Sequence, residues 1–196
     1  MKNVFMFILA ISLTSCRFYA TRKYHLNNSF DFKTKSSYLN AFKNKKIGEP
    51  FELLYIDSAD YLAFYTHKLS KDSVVAYLGC FLNDSTAIKK SESLAENTSC
   101  SGRIQQEIKT NLKMNKDAII YNCKRELIRD YKFREVATGN IVNFNSGDEI
   151  KVLLIYATGF GSYYDELYKS TTKSKNESNS KSKVYFISID PVYQLN

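Results

Sequence analysis

The side chains of this chain that could do chemistry are four cysteines, two histidines and a few closely spaced carboxylates. Cys16 closes the stretch ISLTSC, and three readings stand for it: a core thiol, half of a disulfide, or the first residue of a processed chain. Cys80 (YLGCFL) and Cys123 (IIYNCK) sit in apolar runs, and Cys100 sits in the polar run NTSCSG. With Cys16 set apart three cysteines remain, so at least one thiol stays outside any intramolecular pair. A Cys80–Cys100 bridge would close a loop of about 20 residues and stabilise the fold by roughly 3 kcal/mol on chain-entropy grounds. Cys80 and Cys123 are equally readable as small buried hydrophobes, and spacing does not choose. The histidines are His25 and His67, with no Cys-x-x-Cys or His-x-x-x-His pair, so no metal site is expected. A nucleophile relayed through histidine would have only His67 as its base, leaving His67, Asp57 and Cys100 as the candidates for an enzyme assembled from distant segments. Asp57 with Asp60, and Asp148 with Glu149, read as caps and turns, positions that favour Asp. No catalytic residue and no cofactor are assigned.

The elements that would position these residues begin after a leader. Residues 1–15 carry Lys2, an apolar run from Val4 to Leu13, and then small polar residues, which is the layout of a secretory signal. A membrane span needs about 20 apolar residues, and Arg17, Arg22 and Lys23 follow too soon. Leu13-Thr14-Ser15-Cys16 resembles the bacterial lipobox, whose cysteine takes a diacylglyceryl thioether and becomes the acylated N-terminus. The resemblance implies a lipid-anchored protein of the bacterial envelope, held to the membrane through Cys16. Two or more acyl chains anchor stably where one holds only marginally. The residues after the cysteine, Arg17, Phe18, Tyr19 and Ala20, lean toward a periplasm-facing anchor. An ordinary secretory cut near Ser15 is the plainer alternative.

Of the 196 residues, 181 remain after residue 15, enough for one domain with a real core. The formal excess of +8 falls to +7 with the loss of Lys2. Nucleic acid is disfavoured as a partner by the export signal and the lack of a binding motif. The basic residues from Arg17 to Lys46 lie where anionic headgroups would attract them, and a solvated basic tether explains them equally well. Fifteen tyrosines and no tryptophan suit half-buried strands and adaptable protein surfaces.

Along the chain, residues 16–47 read as a basic tether, with a short helix over 36–46 that puts Tyr38, Leu39 and Phe42 on one face. Residues 48–196 read as a single globular domain. Its strands are expected at 51–56, 73–82, 117–123, 151–157 and 184–190, with a hairpin of 131–136 and 140–144 about Thr138-Gly139-Asn140. Ile104, Ile108 and Leu112 behind Ser101 predict a helix, and a second runs from Ser162 to about Thr171. Residues 170–183, STTKSKNESNSKSK, read as a polar loop. Residues 83–102 read as a loop, and 60–69 stay open between helix and strand. Strand, helix and strand over 151–190 make a βαβ unit with parallel strands. The fold class is α+β: a mixed sheet with antiparallel hairpins, one C-terminal βαβ unit and helices packed on the sheet.

Within 139–190 the run GNIVNFNSGDEIKVLLIYATGFGSYYDEL resembles the opening of membrane-anchored thioredoxin-like proteins of the TlpA type. Tyr156-Ala157-Thr158 matches their aromatic-Ala-Thr portion and Glu166-Leu167 their Glu-Leu pair. Phe160 and Tyr163 stand where that family carries its two redox cysteines, so the resemblance implies a degenerate relative without redox activity. Gly159 and Gly161 serve a tight strand-to-helix turn, and the helix N-terminus at Phe160, Gly161, Ser162 and Tyr163 is a candidate anion site. Two functions are therefore expected: a non-enzymatic binding or accessory lipoprotein that meets an envelope partner through a Tyr-rich face, or an envelope enzyme.

Overall fold

The computed structural model describes residues 30–44, 51–66, 77–88, 101–113, 120–121, 128–147, 149–160, 163–178 and 181–196. In chain order they form α1 (Lys35–Lys43), β1 (Glu52–Ile56), α2 (Ser58–Phe64), β2 (Tyr77–Asn83) and β3 (Thr86–Ile88), then α3 (Ser101–Lys113), β4 (Ile120–Tyr121) and β5 (Phe133–Glu135), and finally β6 (Ile150–Tyr156), α4 (Tyr163–Ser178) and β7 (Ser182–Ser188). The strands make one mixed sheet in the order β4-β3-β2-β6-β7-β1-β5. At its centre β6, β7 and β1 are parallel, and β2 joins β6 and β5 joins β1 antiparallel. The expected α+β fold with a mixed sheet is observed, and β6-α4-β7 is its C-terminal βαβ unit.

Parallel strands at the middle of a sheet are covered on both sides and read as continuous apolar runs. β6, IKVLLIY, is buried at every position. Alternation sorts the side chains onto two cores. Leu53, Tyr55, Val152, Leu154, Tyr156 and Phe186 meet α1, α3 and α4 on one face. Leu54, Ile56, Leu153, Ile155, Tyr185 and Ile187 meet Phe64 of α2 together with Ile128, Phe133 and Phe144 on the other. In β2 the register shifts between Tyr77 and Gly79, where Gly79 takes φ +151°. That bulge re-phases the strand, so Tyr77 and Cys80 share one core while Phe81 faces the other.

Four expectations are corrected. Helix α1 lies within the stretch read as tether, yet Tyr38 and Phe42 are buried in the core and Phe30 and Phe32 pack against it. Phe42 meets the rings of Phe51 and Tyr156 at 4.6 Å each, and Thr34 caps the helix by accepting from the Ser37 N–H. The packed unit therefore begins by residue 30. The polar run at 170–178 is helix, the continuation of α4, not loop. Small hydroxyl residues can be buried there because they satisfy themselves: Ser170 and Thr171 each donate to the Leu167 carbonyl at 2.8 Å. Lys and Glu are good helix formers, and Glu177 takes Lys109 of α3 at 3.1 Å, binding the two helices. Residues 86–88, expected as loop, pair with β2 and β4 as a short strand, and the second arm of the hairpin narrows to a bridge between Arg134 and Ile141.

Lys151, the second residue of β6, is 1% exposed. Its ammonium donates to the carbonyls of Leu82 and Gly147 at 2.9 and 3.0 Å, which offsets the cost of taking a charge out of water.

Candidate functional site

In open sheets ligands favour the carboxyl ends of parallel strands, and here β1, β6 and β7 end side by side at Asp57, Ala157-Thr158 and Ile189-Asp190. The Asp190 carboxylate accepts from the Tyr38 hydroxyl at 2.7 Å and from the Thr158 N–H at 2.8 Å. Tyr38 also lies 2.6 Å from the Ser188 hydroxyl. Burial, reinforced by the negative charge of Asp190, pushes the Tyr38 hydroxyl well above its usual pKa. Burial raises Tyr156 as well. Both phenols keep their protons at neutral pH, so neither is a base there. Their work is structural: α1 is latched to the end of β7, and the Lys35 N–H donates to the Asn196 carbonyl at 3.0 Å.

The carboxylates singled out from the sequence fall at the next corner. Asp57 caps α2 and takes the Arg134 Nε at 2.7 Å. That guanidinium hydrogen bond holds the Asp57 carboxyl below its usual pKa. Asp60 accepts the Lys132 N–H at 2.7 Å. The pair thus clamps α2 to the β5 hairpin from two points, Asp57 in the cap role expected of it and Asp60 through a long-range bond instead. His67, Cys100 and Asp148 lie outside the described residues, as do Cys16, His25 and Cys123.

Cys80 is a buried thiol whose Sγ accepts from the Tyr77 hydroxyl at 3.1 Å, and Asn111 of α3 donates to the same hydroxyl. Phe160 closes a short 3-10 turn, Gly161 and Ser162 fall outside the described residues, and Tyr163 opens α4. The first turn of α4 carries Asp165 and Glu166, so its N-terminal dipole already meets negative side chains. Among the described residues no three His, Cys, Asp or Glu side chains group to hold a metal ion, and no helix is long and apolar enough to cross a membrane.

What the sequence did not reveal is a face. The large apolar side chains that remain exposed among the described residues are Leu62 (74%), Tyr65 (48%) and Ile141 (57%), on α2, at its C-cap and on the hairpin arm, on the Phe64 side of the sheet. Tyr61 stacks on Tyr65 and lies 4.8 Å from the Tyr193 ring, and Tyr131 meets Phe64 edge-on at 5.1 Å. Beside Ile141 opens a groove of about 270 Å³ lined by Asp84, Ile128, Arg129, Tyr131, Lys132 and the 141–144 arm. Glu135 N–H donates to the Asn140 carbonyl and Val142 N–H to the Phe133 carbonyl. This pattern makes Arg134 and Ile141 a non-hydrogen-bonded pair, so the N–H and C=O of Ile141 point away from the sheet. Exposure of a given Ile or Tyr follows from which neighbours arrive, so no local pattern announces it. No protein-family model, no curated protein and no solved structure matches the chain.

Proposed function

We propose that this chain is a bacterial envelope lipoprotein, anchored through lipidated Cys16, that acts as a non-enzymatic binding or accessory protein. Its envelope protein partner is held in the groove beside Ile141. The Leu13-Thr14-Ser15-Cys16 motif behind the apolar run 4–13 supports the anchor. One observation carries the binding role: an outward-facing backbone edge and a 57% exposed Ile141 border an open groove flanked by Arg129 and Lys132. An extended segment of a partner can add main-chain hydrogen bonds at such an edge while an apolar side chain fills the groove.

The test is cross-linking in the native envelope followed by pull-down of the wild type, Cys16→Ala and Ile141→Glu. The reading expects a discrete partner with the wild type, little with Cys16→Ala, and loss with Ile141→Glu at unchanged membrane recovery. An intact mass of the mature chain without a lipid increment overturns the anchor. Equal partner recovery by wild type and Ile141→Glu overturns the groove.

A further inference from the structure

Helix α1 is the one α-helix among the described residues without a carboxylate. Its sequence is KSSYLNAFK, and each of the other three contains Asp or Glu. Tyr38 and Phe42 turn one side of it into the core. The outer side shows Ser36, Ser37, Asn40 and Lys43 to solvent, with Lys33 exposed just ahead of the helix and Lys35 half-buried at its start. Among the described residues no carboxylate pairs with Lys33, Lys35 or Lys43, while ion pairs take up Lys109, Arg129, Arg134, Lys173 and Lys183.

Charge is segregated in the same sense along the chain and across the sheet. Residues 17–46 carry eight Lys and Arg against one Asp, while residues 47–196 carry 19 Lys and Arg against 19 Asp and Glu. On the Phe64 side of the sheet, Asp60, Asp84 and Asp130 outnumber Arg129 and Lys132. The chain also enters the domain on the α1 side, where Phe30 and Phe32 pack on the Tyr38 ring at 5.8 and 5.2 Å. Fourteen residue steps separate Cys16 from Phe30, a span of at most about 50 Å. A lipid on Cys16 therefore keeps this face within reach of the bilayer. Because Tyr38 is held by Ser188 and Asp190, the lysines of α1 are fixed to the domain and their pull orients it.

We infer that the outer side of α1, with Lys33, Lys35 and Lys43, rests on the anionic headgroups of the bilayer to which Cys16 tethers the chain. This rests on the anchor reading given above and adds an orientation to it. The ammonium groups complement lipid phosphates, and Ser36 and Asn40 between them offer neutral donors to the same oxygens. With α1 down, the groove beside Ile141 lies across the sheet, on the Phe64 side, and opens away from the membrane toward its partner.

The chain contains no tryptophan, so Asn40→Trp places a lone fluorophore on the docking side. Leu62→Trp places one at a site 74% exposed on α2, across the sheet. Each full lipidated chain is reconstituted in phosphatidylethanolamine–phosphatidylglycerol vesicles with nitroxide-labelled headgroups. The expected result is an Asn40→Trp emission quenched several-fold more than that of Leu62→Trp. Residues 16–196 carrying Cys16→Ala should bind the same lipids, unlabelled, without an anchor. Changing Lys33, Lys35 and Lys43 to Gln together should weaken that binding on the order of a hundredfold, about fivefold for each lysine. Equal quenching of the two reporters, or stronger quenching of Leu62→Trp, in a chain whose mass shows the lipid overturns the inference and leaves the anchor standing. Binding of the triple variant as tight as that of its parent also overturns it. So does shielding of Asn40→Trp in native envelopes but not in pure lipid, which gives the face to a protein or another polyanion. A chain without lipid whose Cys16→Ala form loses vesicle binding with the three lysines supports the docking face and removes the anchor.

Discussion

Replacing Phe42 with alanine is the sharpest test of where the domain begins. The ring is fully buried and meets Phe51 and Tyr156 at 4.6 Å and Phe186 at 5.3 Å, the last two from β6 and β7. A buried Phe→Ala change costs about 3–5 kcal/mol through lost transfer energy and the cavity left behind. The site has little freedom to collapse, because two of the lining rings stand on central strands of the sheet. Against a domain stability of about 5–15 kcal/mol, this single change removes about a fifth or more. Equilibrium denaturation of residues 16–196 carrying Cys16→Ala should show the midpoint falling at an unchanged m-value. Asn40→Ala on the exposed side of the same helix should stay within about 0.5 kcal/mol. A loss below about 1 kcal/mol for Phe42→Ala would refute the reasoning: α1 would then be an appendage, and residues 30–44 would return to the tether.

Other outcomes follow from the polar latches. Tyr38, Tyr61 and Tyr156 hold their protons above the usual tyrosine pKa, so the unfolded chain releases them first. Stability should be intact below about pH 10 and fall above it, by at most about 1.4 kcal/mol per pH unit for each group. Tyr38→Phe should flatten that fall in alkaline denaturation, and parallel curves for wild type and variant would refute its assignment. Asp57 has the opposite sign. Its lowered pKa means that stability is present above the usual carboxylate range and lost as pH falls through it. Asp57→Ala should cost about 1 kcal/mol at neutral pH as a lost helix cap and make the acid limb shallower. An acid limb identical to wild type would show that the Arg134 contact is not made in solution.

How much of this was legible varies with the physics of each element. β6 and β7 are continuous apolar runs because neighbours cover both faces, and such runs are visible without a structure. Ile108 and Leu112 betray α3 through helical spacing, and both are buried. The extension of α4 to Ser178 was hidden because what makes it pack is not apolar. Its buried Thr171 satisfies its hydroxyl on its own backbone, and Glu177 finds Lys109 some seventy residues away. Phe42 was placed correctly on a helix face, but the basic residues around it masked its membership of the core. At the candidate site, the cap role of Asp57 is local chemistry and could be read. The exposure of Leu62, Tyr65 and Ile141 is a property of the assembled surface and could not.

The latch between α1 and residues 188–196 bears on when this protein can fold. β1 lies between β7 and β5, so a strand from residues 52–56 has neither neighbour until residues 133–135 and 182–188 exist. α1 is tied to Ser188, Asp190 and Asn196. A chain that emerges N-terminus first therefore cannot close its core until residues 182–196 are free. Pairings of such long range also fold slowly. The architecture makes folding of the leading segment unproductive before residues 182–196 are in place.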